Sequence, residues 1–139
     1  MIVQTQTTSF KAELYEGIHD LIDDTIKIAL FNANADLSAS TTVYSTNQEV
    51  TGTGYTAGGN TLTGATVRSS GTTAYVSFDN TTWSSASFTC RGALIYNSSK
   101  ADRSVAVLNF GSDKIVTNGT LTVEFPNNDV TSAILRSSN

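Results

Sequence analysis

The sequence predicts an all-β protein: an antiparallel β-sandwich, jelly-roll or immunoglobulin-like, with one N-terminal α-helix. Three observations lead there. The 139 residues hold 22 Thr, 17 Ser and 11 Asn but one His, one Cys and one Pro, a balance of β-branched and hydroxyl side chains that suits pleats with a wet face. Apolar residues recur with period two along most of the chain. Turn-forming residues recur at short intervals between those runs, the spacing of a sandwich or barrel.

The elements follow in order. Residues 1–8 read as an N-terminal arm and 9–139 as one β-sandwich domain, a size ordinary for a single domain. Phe10, Leu14, Ile18 and Leu21 or Ile22 recur at helical spacing behind Ser9, which can cap the first turn. Gly17 weakens the middle of that helix by about 1 kcal/mol relative to Ala. The helix is expected to cover an end or edge of the sheet. Period-two strands then follow at Ile26–Leu30, at Thr73–Phe78 and at Thr120–Phe125, each with one apolar and one polar face. Ala93–Ile95 and Val105–Leu108 are apolar on both faces and read as central strands. Phe88, Cys90, Leu94 and Tyr96 share a face of the run 85–97, and Gly92 between them marks a bulge or a close approach. Ser69-Ser70-Gly71, Asp79–Thr81 and Asn97–Asp102 read as turns, and Asn118-Gly119 as a hairpin. Pro126 ends the strand before it. Seven or eight strands are expected.

Two stretches lack core residues. Asn32–Ser40 reads as a long polar loop. Thr51–Gly59 carries Gly52, Gly54, Gly58 and Gly59 around Tyr55; it reads as a mobile arm or binding loop, because glycine admits close backbone contact.

Charge narrows the function. Net charge is −4 and only 14% of residues are charged, against about 25% in an ordinary domain. No basic run could neutralise phosphates, so nucleic acid is not an expected partner. No apolar stretch reaches membrane-spanning length, and no membrane partner is expected. Met1–Thr5 lacks the basic start and apolar core of a signal peptide. Cys90 stands alone, which excludes an internal disulfide.

Catalytic patterns are weak. The glycine-rich segment lacks the Lys-Ser/Thr pair that a phosphate loop needs after its last glycine. His19 and Cys90 are the only candidates for a nucleophile pair, but Cys90 reads as a buried, inert thiol on an apolar face. One His and one Cys give no zinc spacing, and no cofactor is expected. Asp23 and Asp24 are adjacent and read as solvated loop residues; Asp79, Asp113 and Glu124 are spread over turns and strands, and a carboxylate pair for sugar hydrolysis, whose spacing is three-dimensional, is not expected. Trp83, Tyr44, Tyr55, Tyr75 and Tyr96 could stack on a glycan, though aromatic side chains in a sandwich are ordinarily core. The sequons at Asn80, Asn97 and Asn118 are expected by chance in so Thr/Ser-rich a chain.

A resemblance adds to this. Phe10–Leu14 with Gly17–Asp20, Asp24–Phe31, Gly52–Gly59, Arg91–Asn97 and Val105–Leu108 together resemble small virion structural proteins of tailed bacteriophages, of the head decoration or cement kind. The similarity runs from about Ser9 to Ile134. It implies a non-enzymatic capsid decoration protein, located in the virion and assembled in the bacterial cytoplasm as a homo-oligomer. Its partner would be the major capsid protein or another virion protein. A tail tube, adaptor or fibre-associated protein, or a carbohydrate-binding receptor module, is the alternative. The expected partner contacts are Ile2, Val3, Gln4 and Thr5 of the arm, which could add a strand to a neighbour, together with Gly52, Gly54, Tyr55, Gly58 and Gly59. On this reading the arm can be removed without disturbing the fold.

Overall fold

The computed structural model describes residues 1–129 and 131–138; Asn139, the last residue of the expected domain, lies outside them. Among the described residues there are eight strands: β1 Thr5–Gln6, β2 Ile26–Phe31, β3 Asn60–Thr61, β4 Thr66–Ser70, β5 Thr73–Ser77, β6 Thr81–Asn97, β7 Arg103–Val123 and β8 Leu135–Ser137. They form two antiparallel sheets, ordered β1-β7-β6-β2-β3 and β4-β5-β8. With one short N-terminal helix, α1 Thr8–Tyr15, this is the all-β, sandwich-like class that the composition and period predict.

The dominant element is the long β6–β7 hairpin. Its turn is the predicted Asn97–Asp102 segment, a single 3₁₀ turn at Ser98–Lys100 followed by Ala101 and Asp102 with positive φ. Asn97 accepts from the Ser99 N–H and caps that turn. The predicted central strands are central: Ala93–Tyr96 and Val105–Leu108 are buried on both faces. One face packs into the larger core with Ile26, Ile28, Leu30, Phe10 and Trp83. The other packs with Ile2, Ala29, Phe31, Ala35 and Leu37. Thus β2 is not half-buried as expected, because Ala29 and Phe31 serve the second core.

Four local readings change. The helix starts earlier and stops sooner: Thr7 caps it, accepting from the Phe10 N–H at 3.3 Å. It ends in a Schellman motif, Gly17 N–H to Leu14 and Ile18 N–H to Glu13, with Gly17 at φ +72. Gly17 is thus a terminator rather than a mid-helix weakness. Asn118-Gly119 makes no hairpin; β7 runs through it, and Gly119 pairs with Ala86 at an irregularity in the ladder. Phe88 and Cys90 do not share a face with Leu94 and Tyr96. The ladder slips between Cys90 and Gly92, and a slip exchanges faces. Gly92 is also a close approach: a Cβ there would lie 2.6 Å from the Leu108 carbonyl oxygen and 2.9 Å from Ile2. In β5, Tyr75 and Ser77 are buried whereas Ala74 is exposed, the reverse of the expected faces.

The arm is not free. Thr5 and Gln6 pair with Val107 and Ala106, the Val3 N–H donates to Leu37 at 2.9 Å, and Ile2 is buried. The strand addition expected on a neighbour is made within the chain, because β7 offers an open edge beside it. The polar loop 32–40 also folds back, burying Ala35 and Leu37.

Gly59 has φ +77, and a Cβ on it would overlap the Ile28 carbonyl; Gly71, at φ +59 in the β4–β5 turn, faces open space. Replacing Gly71 with Ala should cost about 1 kcal/mol through backbone strain alone. Gly59→Ala should cost more than about 2 kcal/mol, strain plus displacement of β2. Urea denaturation of the two variants checks the order; equal costs would contradict the packing.

Candidate functional site

The glycine-rich segment crosses the edge of β2 and is held from below by a buried carboxylate. Glu49 bridges to Phe31 in the ladder and accepts from the Tyr44 hydroxyl at 2.6 Å, the Tyr55 hydroxyl at 2.5 Å and the Gly58 N–H at 2.8 Å. The Tyr55 oxygen in turn accepts from the Leu30 N–H at 2.9 Å. Tyr96 donates to the Gly58 carbonyl at 2.7 Å and stacks on Tyr44. Burial, then the Glu49 hydrogen bond, pushes the Tyr44 and Tyr55 phenols far above their ordinary range. Burial also raises Tyr96 to about 12. These phenols are therefore donors, not bases.

This arrangement reassigns the expected contact residues. Gly52 and Gly54 approach the backbone at Ser87 and Ala86, and Gly59 approaches that of β2. The close contact that glycine permits is with this chain's own strands. Of Ile2, Val3, Gln4 and Thr5, Ile2 is buried, Gln4 accepts from the Asn109 N–H and Thr5 is paired; Val3 is left with an exposed side chain. Trp83 is 4% exposed and stacks with the partly buried Tyr55 at 6.1 Å, so two of the five aromatics named for glycan stacking pack in or against the core.

A second polar cluster ties α1 to the β6–β7 turn. The His19 side chain is shielded completely. Its Nε2 lies 2.8 Å from Glu13, and Asn97 donates to its Nδ1 at 3.0 Å. Because Nδ1 accepts, the ring proton sits on Nε2, facing Glu13. Arg103 donates to Glu13 at 2.7 Å. Burial alone would raise Glu13; the bonds from His19 and Arg103 outweigh it and hold the carboxyl below its usual range. Asn97 and Lys100 both donate to Asp24, the latter at 2.8 Å. Burial again opposes, but Asn97, Lys100 and the Asp20 N–H hold Asp24 at about 2. The His19 ring is shielded from solvent, and the cluster positions the turn. Cys90 is buried and far along β6 from His19. Among the described residues no three His, Cys, Asp or Glu converge to hold a metal, and no helix is long and apolar enough to cross a membrane.

What remains available is exterior surface. In the outer half of the hairpin, β6 buries Trp83, Ala86, Phe88 and Cys90 inward and exposes Thr82, Ser84 and Thr89. On β7, Thr122 lies opposite Thr82 with hydroxyls 3.2 Å apart, and Ile115 lies opposite Thr89, 73% exposed. Tyr15, 94% exposed, stands at the end of α1. Sequence reasoning missed both. Ile115 between Lys114 and Val116 breaks no pattern, and Tyr15 beside Leu14 reads as an ordinary helix neighbour.

Asp24 titrates lower in the folded chain than its ordinary value of 3.8, so its contribution is complete above about pH 4 and is lost as pH falls toward 2. Denaturant midpoints across that window should fall steeply in the natural chain and less steeply in Asp24→Asn; equal slopes would contradict the cluster. Burial lifts the Cys90 thiol to about 11, with Asp113 adding to it, so it stays protonated and unreactive at neutral pH. Cys90→Ser should lose about 1–3 kcal/mol from an unpaired buried hydroxyl, as urea denaturation of the variant beside the natural chain would report.

Searches of protein-family models, of curated proteins and of solved structures found no match to this chain.

Proposed function

We infer that the chain is a non-enzymatic structural protein of a tailed-phage virion, and within that class a capsid decoration protein that reinforces the head lattice. The observation that carries the reading is the outer face of the β6–β7 hairpin. It is a pleated, two-stranded surface of Thr and Ser hydroxyls with Ile115 exposed among them. An ion pair, Arg91 to Asp113 at 2.9 Å, lies two residues along each strand from Thr89 and Ile115. Hydroxyls lose little when they exchange water for partner hydrogen bonds, and an exposed Ile contributes apolar area on docking. Such a face suits many modest, identical contacts, and repetition on a symmetric shell makes modest contacts effective.

The mechanism is linkage. A protein that binds only the assembled lattice stabilises it in proportion to the logarithm of its free concentration over Kd. No bond is made or broken. The sequence resemblance to head decoration proteins supports the same reading.

The test is co-sedimentation of the purified protein with capsid shells, followed by copy counting on whole particles. Ile115→Asp should leave thermal stability within about 0.5 kcal/mol, as for an exposed site, and lower shell binding several-fold. Hundreds of copies per particle fit the head; a dozen or a few dozen place the protein in the tail instead. Absence from particles, or undiminished binding by the variant, overturns the reading.

A further inference from the structure

Asn118 alone among the chain's 11 Asn residues is followed by glycine. The pair has the chemistry of a hairpin turn, yet the structure sets it inside β7. Several features leave it open to reaction there. Asn118 is exposed and has φ +46, so the strand is turned locally rather than extended. The ladder shifts register on both sides of the Ala86–Gly119 pair, which separates that pair from the regular hydrogen-bonded run and lowers the cost of opening it. The side-chain amide is held loosely. Its Oδ1 has the Ser87 hydroxyl at 3.5 Å, longer than an ordinary O–H···O bond, and its Nδ2 has no partner among the described residues. By contrast the buried Asn97 commits both ends of its amide, to His19, Asp24 and Ser99. Gly119, without a Cβ, puts nothing between its own nitrogen and the Asn118 side chain.

We propose that Asn118 is a site of spontaneous covalent modification, converting through a succinimide to aspartate and isoaspartate in the folded protein. The Gly119 nitrogen gives up its proton to hydroxide and attacks Cγ of Asn118, and a nitrogen–carbon bond forms. The Cγ–Nδ2 bond breaks, Nδ2 takes a proton from water, and ammonia leaves. Water then opens the ring. Cleavage at Cγ yields aspartate. Cleavage at the Asn118 backbone carbonyl yields isoaspartate, whose main chain runs through the former side chain. In sum a water is consumed and an ammonia released, with no oxidant and no cofactor. Either product adds a carboxylate to a chain of net charge −4. The new charge lies on β7 between Ile115 and Thr122, and isoaspartate also lengthens the backbone opposite Ala86. The inference needs neither capsid nor partner and goes beyond the assembly reading.

Peptide mapping by mass spectrometry tests it, on the full chain aged in warm, mildly alkaline buffer beside the same chain held unfolded in urea. Asn118 should be the first Asn to exchange its amide for a carboxyl, with isoaspartate resolved from aspartate by chromatography. Its rate in the folded chain should lie within about tenfold of that in the unfolded chain, as for a site that local opening exposes. Gly119→Ala should slow the change about tenfold or more, because a Cβ crowds the attacking nitrogen and narrows its backbone. That variant should fold, since Gly119 has no positive φ and a Cβ there meets nothing nearer than Val116 at 3.3 Å. Circular dichroism checks this; should it fail, Asn118→Gln, whose longer side chain closes a larger and slower-forming ring, takes its place. Asn118 left intact in the folded chain overturns the proposal, because β7 then protects the pair. Modification of another Asn ahead of Asn118, or a rate indifferent to the substitution, overturns it too.

Discussion

Everything in this fold answers to one constraint: the central strands are apolar on both faces. Ala93–Tyr96 and Val105–Leu108 are buried on either side of the sheet, and an apolar face left wet costs about 25 cal/mol per Å². Such a sheet needs two covers. The small sheet β4-β5-β8 and α1 provide one. Among the described residues no further sheet provides the other; it is assembled from Ile2, the loop through Ala35 and Leu37, and Tyr44.

That requirement explains why the flexible-looking segments are not free. The N-terminal residues and the polar loop are drawn onto the sheet because Phe31, Leu94 and Val107 must be covered. Glu49 joins the two covers across the edge of β2, with Tyr44 from one core and Tyr55 from the other on a single carboxylate. A buried carboxylate needs several donors to offset its desolvation, and it receives three. Gly58 and Gly59 follow as the backbone that fits against β2 beneath it.

Much of the architecture was legible in the sequence, and the limits have physical causes. The doubly apolar runs at 93–95 and 105–108 and the turn at 97–102 stood out because burial on both faces and turn chemistry are local signals. The face exchange at Gly92 did not, since a ladder slip depends on the partner strand. Asn118-Gly119 has hairpin chemistry, but tertiary pairing with Ala86 overrides it. Gly17 was visible as a glycine and misread, because whether it interrupts or ends a helix depends on where Ile18 finds its acceptor. The site was less legible. Glu49 lies between Tyr44 and Tyr55 with no motif to mark it, and exposure of Ile115 or Tyr15 is a property of the fold alone.

The functional account follows from the same constraint. With the arm and the glycine-rich segment bound to the chain's own sheet, the outer pleat of the hairpin is the exposed surface on which the proposed assembly rests. Amide hydrogen exchange on the isolated protein tests this most directly. The account predicts that the amides of Val3, Thr7, Gly58 and Gly59, each donating within the chain, exchange slowly, as the central strands do. Fast exchange at all four in the isolated protein, slowed only on assembly, would contradict it.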